Sequence, residues 1–242
     1  MPWEEAKFLP NRVLVRFYYA CLYFTVSFHT FVSLTYCPRL TSLMAASRVG
    51  HLRFTFNYTL PPYILLESTR PTVITSTPSN ITFPSGSIVI DPQAREITGS
   101  NNERQDWVIG PTSTLAKGFK GYFCARFDRP FADWGTVQNG TVHRRQKSGN
   151  GVRLSGYAMF DYGTEKELTV NVRIGVSFIS IEQARQNLDN EIGDGVVLEE
   201  TARRTRAEWA EKLDRVKIEG ATEVEKDIFY TGFYHALQVS IA

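Results

Sequence analysis

Residues 172–192, VRIGVSFISIEQARQNLDNEI, change their hydrophobic period halfway along, and this change constrains the fold more than any other feature of the chain. In the first half, apolar residues alternate with polar or small ones, as in a strand that buries one face; they are Val172, Ile174 and Val176. From Ile181 the apolar residues recur at helical spacing. Ser180 precedes them and Gln183 follows three residues after it, which is the pattern of a helix capping box. The sequence therefore predicts a strand that passes almost directly into a helix.

The segment before this junction carries β signals from residue 22 to residue 178. Stretches of alternating apolar and polar residues, such as HLRFTFNYTL, are separated by Gly, Pro, Asn and Ser. The stretch GSIVIDPQAREITGS is typical of two short strands about a turn at Asp91 and Pro92. This spacing predicts a mainly β protein with an antiparallel β-sandwich over 22–178, rather than alternating strand and helix units.

The segment after residue 178 predicts three helices. The first spans Ile181–Ile192, the second spans Val197–Ile218, and the third begins at Thr222, where Glu225 completes a second capping box. The third helix is apolar over much of its surface; its apolar residues are Ile228, Phe229, Phe233, Ala236 and Leu237. Because such a helix packs on several sides, we expect its neighbours to lie beyond residue 242 and its apolar face to be exposed in this chain alone.

Composition excludes several classes of function. The formal net charge is +2 and there is no dense run of Lys and Arg, so nucleic acid is not an expected partner. The cluster formed by Arg144, Arg145 and Lys147 is interpreted as a solvated turn. The apolar run FYYACLYFTVSF, residues 17–28, is too short to span a membrane. It is long enough for a signal-peptide core, but the alternation within it favours a buried strand.

Histidine and cysteine show no metal-binding pattern. The chain has four histidines, and no two of them stand at helical metal-ligand spacing; they are His29, His51, His143 and His235. The three cysteines, Cys21, Cys37 and Cys124, are interpreted as ordinary part-buried thiols, although one disulfide of unassigned pairing remains an alternative. We therefore expect this chain to bind no metal ion by itself.

Carboxylates are the residues that a glycosidase uses, and the chain offers several without an evident pair. Four of them stand beside turn residues or Arg, which favours turns and salt bridges; they are Asp106, Asp128, Asp133 and Asp161. Five others lie on charged helix faces; they are Glu182, Glu199, Glu200, Glu208 and Glu211. The stretch DWGTVQNGTVH, residues 133–143, has the residue types of a sugar site, but its Asn-Gly pair favours a hairpin turn. His235 is interpreted as a packed core histidine, and no complete catalytic set emerges.

Three sequons, at Asn57, Asn80 and Asn139, are possible N-glycosylation sites if the chain enters the secretory pathway. They favour a secreted protein, with a cytosolic one as the alternative. Residues 1–21 have no assigned role. Glu4 and Glu5 argue against a basic leader, and no clear cleavage site follows.

Five segments of the chain together resemble glycoside hydrolase family 92, the calcium-dependent exo-α-mannosidases. They are VRIGVSFISIEQARQNLDNEI, TRAEWAEKLDRVKIEGATEVEKDIFYTGFYHAL, SRVGHLRFTF, GYFCARFDRPFADWG and SGYAMFDYG. The first two form the most specific part, because they are similar to the junction region of that family. The resemblance covers roughly residues 40–242.

This resemblance implies an N-terminal sandwich of the galactose-mutarotase-like kind, linker helices over 179–220, and from 221 the first helix of an (α/α)6 barrel. It implies inverting release of terminal α-mannose from N-glycans or mannoproteins, with a calcium ion and two carboxylates. Most of these groups lie in the family's barrel, downstream of Ala242, and the family's glycine-rich opening is not recognisable in residues 1–38. We therefore assign no catalytic or substrate-binding residue to this chain and expect it to be inactive alone.

Two alternatives stay open at this point. The chain could be a stand-alone carbohydrate-binding sandwich, or a structural or interaction module without sugar binding. The apolar face of the third helix instead favours the N-terminal part of a family 92 α-mannosidase. In that hypothesis the partners are mannose-containing glycans and a C-terminal barrel.

Overall fold

The computed structural model describes the backbone of residues 12–16, 19–20, 27–28, 31–33, 39–45, 47–57, 61–69, 72–73, 81–82, 84–102 and 118–238. It describes the side chains of residues 47–56, 61–69, 84–102 and 118–237. Several residues singled out in the sequence lie outside the described side chains; they are Cys21, Cys37, His29, Asn57, Asn80 and Asp106. The strand expected within 17–28 is described only at residues 19–20 and 27–28.

The described residues contain seventeen strands. They are β1 (Arg12–Arg16), β2 (Tyr19–Ala20), β3 (Ser27–Phe28), β4 (Phe31–Ser33), β5 (Arg39–Ala45), β6 (Val49–Asn57), β7 (Tyr63–Glu67), β8 (Thr72–Val73), β9 (Ile81–Thr82), β10 (Gly86–Asp91), β11 (Glu96–Asn101), β12 (Gly121–Phe127), β13 (Asp133–Gln138), β14 (Thr141–Arg144), β15 (Ser148–Gly151), β16 (Leu154–Met159) and β17 (Glu167–Ser177).

Most of these strands form two sheets. The larger sheet has seven strands in the order β15-β10-β11-β12-β17-β6-β5, and the smaller has six in the order β14-β13-β16-β7-β1-β4. Neighbouring strands are antiparallel except for β1 and β7, which are parallel. The predicted antiparallel architecture is therefore confirmed.

The core lies between the inner faces of the two sheets. Leu52, Phe54 and Phe56 of β6 point inward together with Leu168, Val170 and Val172 of β17. From the smaller sheet, Ile64, Leu66 and Ala158 enter the same cluster. These positions alternate along each strand, so the period of two in the sequence explains which face is buried.

Three helices follow β17: α1 (Ile181–Glu191), α2 (Leu198–Leu213) and α3 (Glu223–Gln238). Ser180 caps α1 as predicted, because its Oγ accepts a hydrogen bond from the backbone N of Gln183 at 3.0 Å. The Gln183 side chain does not complete the box and instead donates to Asn187 Oδ1 at 2.9 Å. Before α3 the box is reciprocal, since Thr222 Oγ1 accepts from Glu225 N and Glu225 Oε2 accepts from Thr222 N.

Helix α2 ends at Leu213 rather than at the predicted Ile218. The backbone N–H of Asp214 still donates to the Ala210 carbonyl, but the next bond is tighter than a helical one, because the N–H of Val216 donates to the Leu213 carbonyl three residues back. Val216 is 40% exposed, so a further helical turn would bury little apolar surface. The chain instead reverses toward α3, where the hydroxyl of Tyr230 donates to the Val216 carbonyl at 3.0 Å.

Helix α1 lies directly on the outer face of the larger sheet, and a glycine makes this contact possible. A Cβ atom at Gly175 of β17 would stand 2.1 Å from the Ala184 carbonyl oxygen and 2.9 Å from Leu188 Cβ. Ala184 and Leu188 are both fully buried. Any side chain at position 175 therefore has to push the helix away from the sheet.

We expect Gly175→Ala to lower the free energy of unfolding by about 1–3 kcal/mol, because the added methyl group overpacks the α1 contact. Urea denaturation of the purified chain measures this. Gly193→Ala is the matched control, since a Cβ there meets only the Asp189 carbonyl at 3.4 Å, and it should change stability by less than about 0.5 kcal/mol. Equal effects of the two substitutions would contradict the packing argument.

Candidate functional site at the junction of sheet and helices

An apolar cluster joins α1 to the outer face of the larger sheet. Its buried members are Val49, Cys124, Ala184, Leu188 and Ile192. Burial raises the pKa of the Cys124 thiol to about 12, so this free cysteine stays protonated at neutral pH. Cys124 is an ordinary free thiol as interpreted, but it is fully rather than partly buried.

A carboxylate clamped by two arginines lies at the edge of this cluster. Glu96 of β11 is only 5% exposed. Its Oε1 accepts from Arg126 Nε at 2.9 Å and Nη2 at 2.7 Å, and its Oε2 accepts from Arg185 Nε at 3.1 Å and Nη2 at 3.0 Å. Both oxygens are thus held by planar guanidinium groups, one from the sheet and one from α1. The clamp fixes the rotation of α1 on the sheet.

Arg126 extends this network of ion pairs toward the loop after α1. Arg126 Nη1 donates to Asp189 at 2.6 Å and to Asp194 at 3.3 Å. Arg173 of β17 also pairs with Asp194 and donates to the Ile192 carbonyl at 2.7 Å. The Arg173 guanidinium lowers the pKa of Asp194. The loop that leads into α2 is therefore bound to the sheet by charge.

A buried histidine and an ion pair hold α2 against β6. His51 Nδ1 lies 3.0 Å from Thr201 Oγ1, and the histidine is only 2% exposed. Burial, with Arg173 as the next largest cause, lowers the pKa of His51 to about 4. Arg53 pairs with Glu199 of α2, and this hydrogen bonding lowers the pKa of Glu199 to about 2. His51 is thus neutral at physiological pH and serves the packing of α2.

The described candidate carboxylates of the sandwich are held in hydrogen bonds or ion pairs. Asp128 accepts from Asn171 N at 2.8 Å and Asn171 Nδ2 at 2.7 Å, and Asp161 Oδ1 accepts from Gly163 N at 3.0 Å. Asp133 is buried and pairs with two exposed arginines, Arg144 and Arg145, each at 2.9 Å. The prediction of a salt-bridge or turn role is confirmed for Asp133 and Asp161, whereas Asp128 binds Asn171 of β17 and forms neither.

The arginine cluster and the Asn-Gly turn belong to the same hairpin. Asn139 and Gly140 connect β13 to β14 with φ of 50° and 84°, as a two-residue hairpin turn requires. Trp134 is 6% exposed and lies under the Arg145 guanidinium at 5.7 Å, so it presents no open face for a sugar. The turn interpretation of residues 133–143 is confirmed, and Arg144 and Arg145 are ion-paired rather than merely solvated.

The helical carboxylates and two further histidines lie on the surface. Glu200 pairs with Arg203 and Arg204 on its own helix. The other four acidic residues named for the helices are exposed; they are Glu182, Glu199, Glu208 and Glu211. His143 is exposed on β14. His235 is exposed as well, with its ring 5.6 Å from that of Tyr234, so the prediction of a core histidine is wrong. α3 has too few neighbours among the described residues to bury it.

Within the part of the chain that the structure describes, no three His, Cys, Asp or Glu side chains gather as a metal site. None of the described helices is both long and apolar enough to cross a membrane.

Helix α3 contacts α2 and leaves an apolar face open. The rings of Trp209 and Tyr234 lie 4.6 Å apart and form the main contact between the two helices. Val224, Ile228 and Phe229 are 68%, 69% and 37% exposed. The expected exposure of the α3 face is confirmed for Phe229, whereas Phe233 and Leu237 are half-buried.

Sequence reasoning missed the residues that build this junction. Glu96, Arg126 and Arg185 carry no local motif, and the pair Glu96 and Arg185 is separated by 89 residues. His51 stands at a polar position of the alternating pattern of β6, so the sequence alone predicts that it is exposed. It is buried because α2 covers it. Small or apolar residues at outward positions of β6, β12 and β17, namely Val49, Cys124 and Gly175, are the signal that the sheet has a second covered face.

Two family models match the chain. The glycosyl hydrolase family 92 N-terminal domain matches residues 23–177, and the glycosyl hydrolase family 92 catalytic domain matches residues 183–240. The first match covers the two sheets except β1, and the second begins within α1 and continues past the end of α3. The domain boundaries at 178 and 220 stay a prediction, since the catalytic match already includes the helices that the sequence assigns to a linker.

Several solved structures have the same fold. One is a family GH92 inverting mannosidase from Bacteroides thetaiotaomicron, 24% identical, with a TM-score of 0.66 over 81% of this chain and 23% of that one. A family GH92 α-mannosidase from the same organism, in complex with mannoimidazole, is 22% identical, with a TM-score of 0.60 over 80% of this chain and 24% of that one. The GH92 family glycosyl hydrolase ccman5 is 24% identical, with a TM-score of 0.56 over 74% and 21%. The comparison with curated sequences finds no match.

The chain spans about a quarter of the length of these structures. Its likeness to them extends over the sandwich and the mainly antiparallel sheets.

We expect Glu96→Gln to lower the free energy of unfolding by roughly 3 kcal/mol, because it leaves Arg126 and Arg185 facing an amide in a buried position. Chemical denaturation at neutral pH measures the loss. Glu165→Gln is the control, because Glu165 pairs with Arg129 at the surface, where the two side chains are 46% and 40% exposed. That change should lower the free energy of unfolding by less than about 0.5 kcal/mol. An equal loss in the two variants would contradict a specific structural role for the Glu96 ion pairs.

Proposed function

This chain belongs to glycoside hydrolase family 92, and we propose that it forms the sandwich and the first helices of an exo-acting α-mannosidase. The proposal rests on the order of the two matches, in which the N-terminal domain is followed directly by the start of the catalytic domain. The similar structures include an inverting mannosidase and an α-mannosidase bound to mannoimidazole, which supports mannose as the sugar.

In this proposal the junction positions the catalytic domain. The Glu96 clamp and the Arg173 pair with Asp194 hold α1 and its following loop on the sheet, and the His51 contact holds α2. α3 then presents Ile228 and Phe229 to further helices of an (α/α)6 barrel. Burial of that face in a barrel removes apolar surface from water, which favours this occupant over exposure in a stand-alone sugar-binding module.

The proposed reaction is the inverting hydrolysis of a terminal α-linked mannose of a glycan or glycoprotein. An acid protonates the leaving oxygen while a base activates water on the opposite face of the sugar. We assign neither role to this chain, because its carboxylates at positions 96 and 133 are in ion pairs, that at 161 holds a turn, and that at 128 binds Asn171. The chain's own part is to form a rigid wall beside the catalytic domain.

Calcium is the cofactor that the resemblance implies. The described residues do not fit it, because no three acidic or other ligating side chains gather among them. We propose that any such ion is bound outside the described residues.

We also propose that the protein enters the secretory pathway. Asn139 supports this, because its sequon begins at the exposed tip of the hairpin between β13 and β14, where the side chain is accessible for modification. Asn57 lies at the last position of β6, opposite Glu167 of β17.

The test compares this chain alone with a longer protein in which the barrel helices of a family 92 enzyme are fused after it. The longer protein should release mannose from an α-mannobioside, with the β anomer as first product by proton NMR, and a calcium chelator should abolish release. This chain alone should release none above the blank. Robust release by this chain alone would contradict the proposal that the catalytic carboxylates lie outside it. A folded longer protein that releases no mannose would overturn the proposed activity.

A further inference from the structure

The contact between α2 and the sandwich is small and contains a titratable group. The buried residues of α2 are Leu198 and Thr201, both in its first turn, and the later turns are half-buried or exposed. His51 lies under this turn, with its Nδ1 atom 3.0 Å from Thr201 Oγ1. The attachment of α2, and of α3 after it, therefore depends on a short contact over a buried histidine.

His51 lies between two arginines on the outer face of the larger sheet. Arg173 of β17 pairs with it directly across the strands, and Arg53 stands two residues further along β6. Side chains at directly paired positions have their Cβ atoms about 5 Å apart, and an arginine keeps its charge at any ordinary pH. On the other side, the residue of β5 that pairs with His51 is the uncharged Met44. A proton on His51 thus adds a third positive charge beside two permanent ones.

The two carboxylates near His51 are engaged elsewhere. Glu199 of α2 and Asp128 act on the ring by charge and favour its protonated form. Glu199 accepts hydrogen bonds from the Arg53 guanidinium, and Asp128 accepts from the backbone and side chain of Asn171. Within the described part of the chain, neither carboxylate hydrogen-bonds to the imidazole. Their attraction is therefore weaker than the combined effect of burial and the arginines.

The hydrogen bond to Thr201 suits the neutral ring better than the charged one. A protonated imidazole has two N–H donors, and the Thr201 hydroxyl oxygen accepts from one of them. Burial and then Arg173 lower the pKa of His51 from 6.5 to about 4 while α2 is in place. Because the released histidine regains its ordinary pKa, the contact is fully stable above about pH 6.5 and weakens as the pH falls toward 4.

We propose that protonation of His51 detaches α2 and α3 from the sandwich, so that this contact works as a pH-sensitive switch. Helix α1 stays in place, because its contacts are the close approach at Gly175 and the ion pairs of Glu96, which contain no histidine. Release lets α3 and the helices that follow it move relative to the sandwich. This last consequence rests on the proposed function, whereas the release of α2 does not.

Hydrogen exchange of the full 242-residue chain at pH 7, 6 and 5, corrected for the intrinsic exchange rates, tests the switch. We expect the opening equilibrium constant of residues 198–206 to rise about twentyfold from pH 7 to pH 5, because opening takes up a proton at His51. Glu199 stays almost fully ionised in this window and adds less than about twofold. At pH 5, residues 184–190 of α1 should open at least about tenfold less often than α2.

His51→Gln removes the titration and keeps an amide that can bond to Thr201, so opening of α2 should change less than about twofold from pH 7 to pH 5. His51→Asn, a second neutral variant with a shorter side chain, should give the same flat profile. His143→Gln is the matched control, since His143 is exposed on β14, and it should keep the twentyfold rise.

The proposal is overturned if α2 of the unmodified chain opens equally often at pH 7 and pH 5, or if α1 opens together with α2. It is also overturned if a folded His51→Gln or His51→Asn variant keeps the rise. The profile of the unmodified chain decides the question even where a variant does not fold. Because the readout is exchange within this chain, failure of a longer protein to release mannose would not change the result.

Discussion

The close approach of α1 to the larger sheet at Gly175 is the contact on which the rest of the structure depends. The Ala184 carbonyl occupies the space that a side chain at position 175 would fill. This lets Leu188 and Ile192 reach the sheet and form a second apolar layer with Val49 and Cys124. The larger sheet is thus buried on both faces over β12 and β17, and the sandwich becomes a three-layer body there. Without this approach, the helices would leave the sheet as a free extension.

Charged residues surround the apolar contact and determine how it is oriented. A buried ion pair adds little net stability over a hydrophobic equivalent, but the loss of one partner leaves the other buried and unpaired. Glu96 with its two arginines, and Asp194 with Arg126 and Arg173, therefore act mainly as geometric restraints. They direct the chain from α1 into α2 and set the position of α3. In the proposed function, these restraints position the start of the catalytic domain on the sandwich.

The sequence predicted the elements of this junction better than their contacts. The strand, the Ser180 cap and the Thr222 capping box follow from local patterns, and the structure confirms them. The Glu96 clamp joins residues from β11, β12 and α1, and no local pattern encodes such a contact. His51 alternates in phase with the polar residues Arg53 and Thr55, so its burial becomes evident only when α2 is placed over β6. The C-terminal limit of α2 depends on α3, which the periodicity of α2 does not include.

Native-state hydrogen exchange of α1 tests most directly whether sandwich and helix form one cooperative unit. We predict that the amides in the middle of α1, around Leu188, exchange with a free energy within about 1 kcal/mol of those of Val172 and Ile174 in β17. Exchange of α1 at a free energy several kcal/mol lower, with β17 still protected, would show that the helix opens independently. That result would contradict the claim that the larger sheet positions α1 and the helices after it.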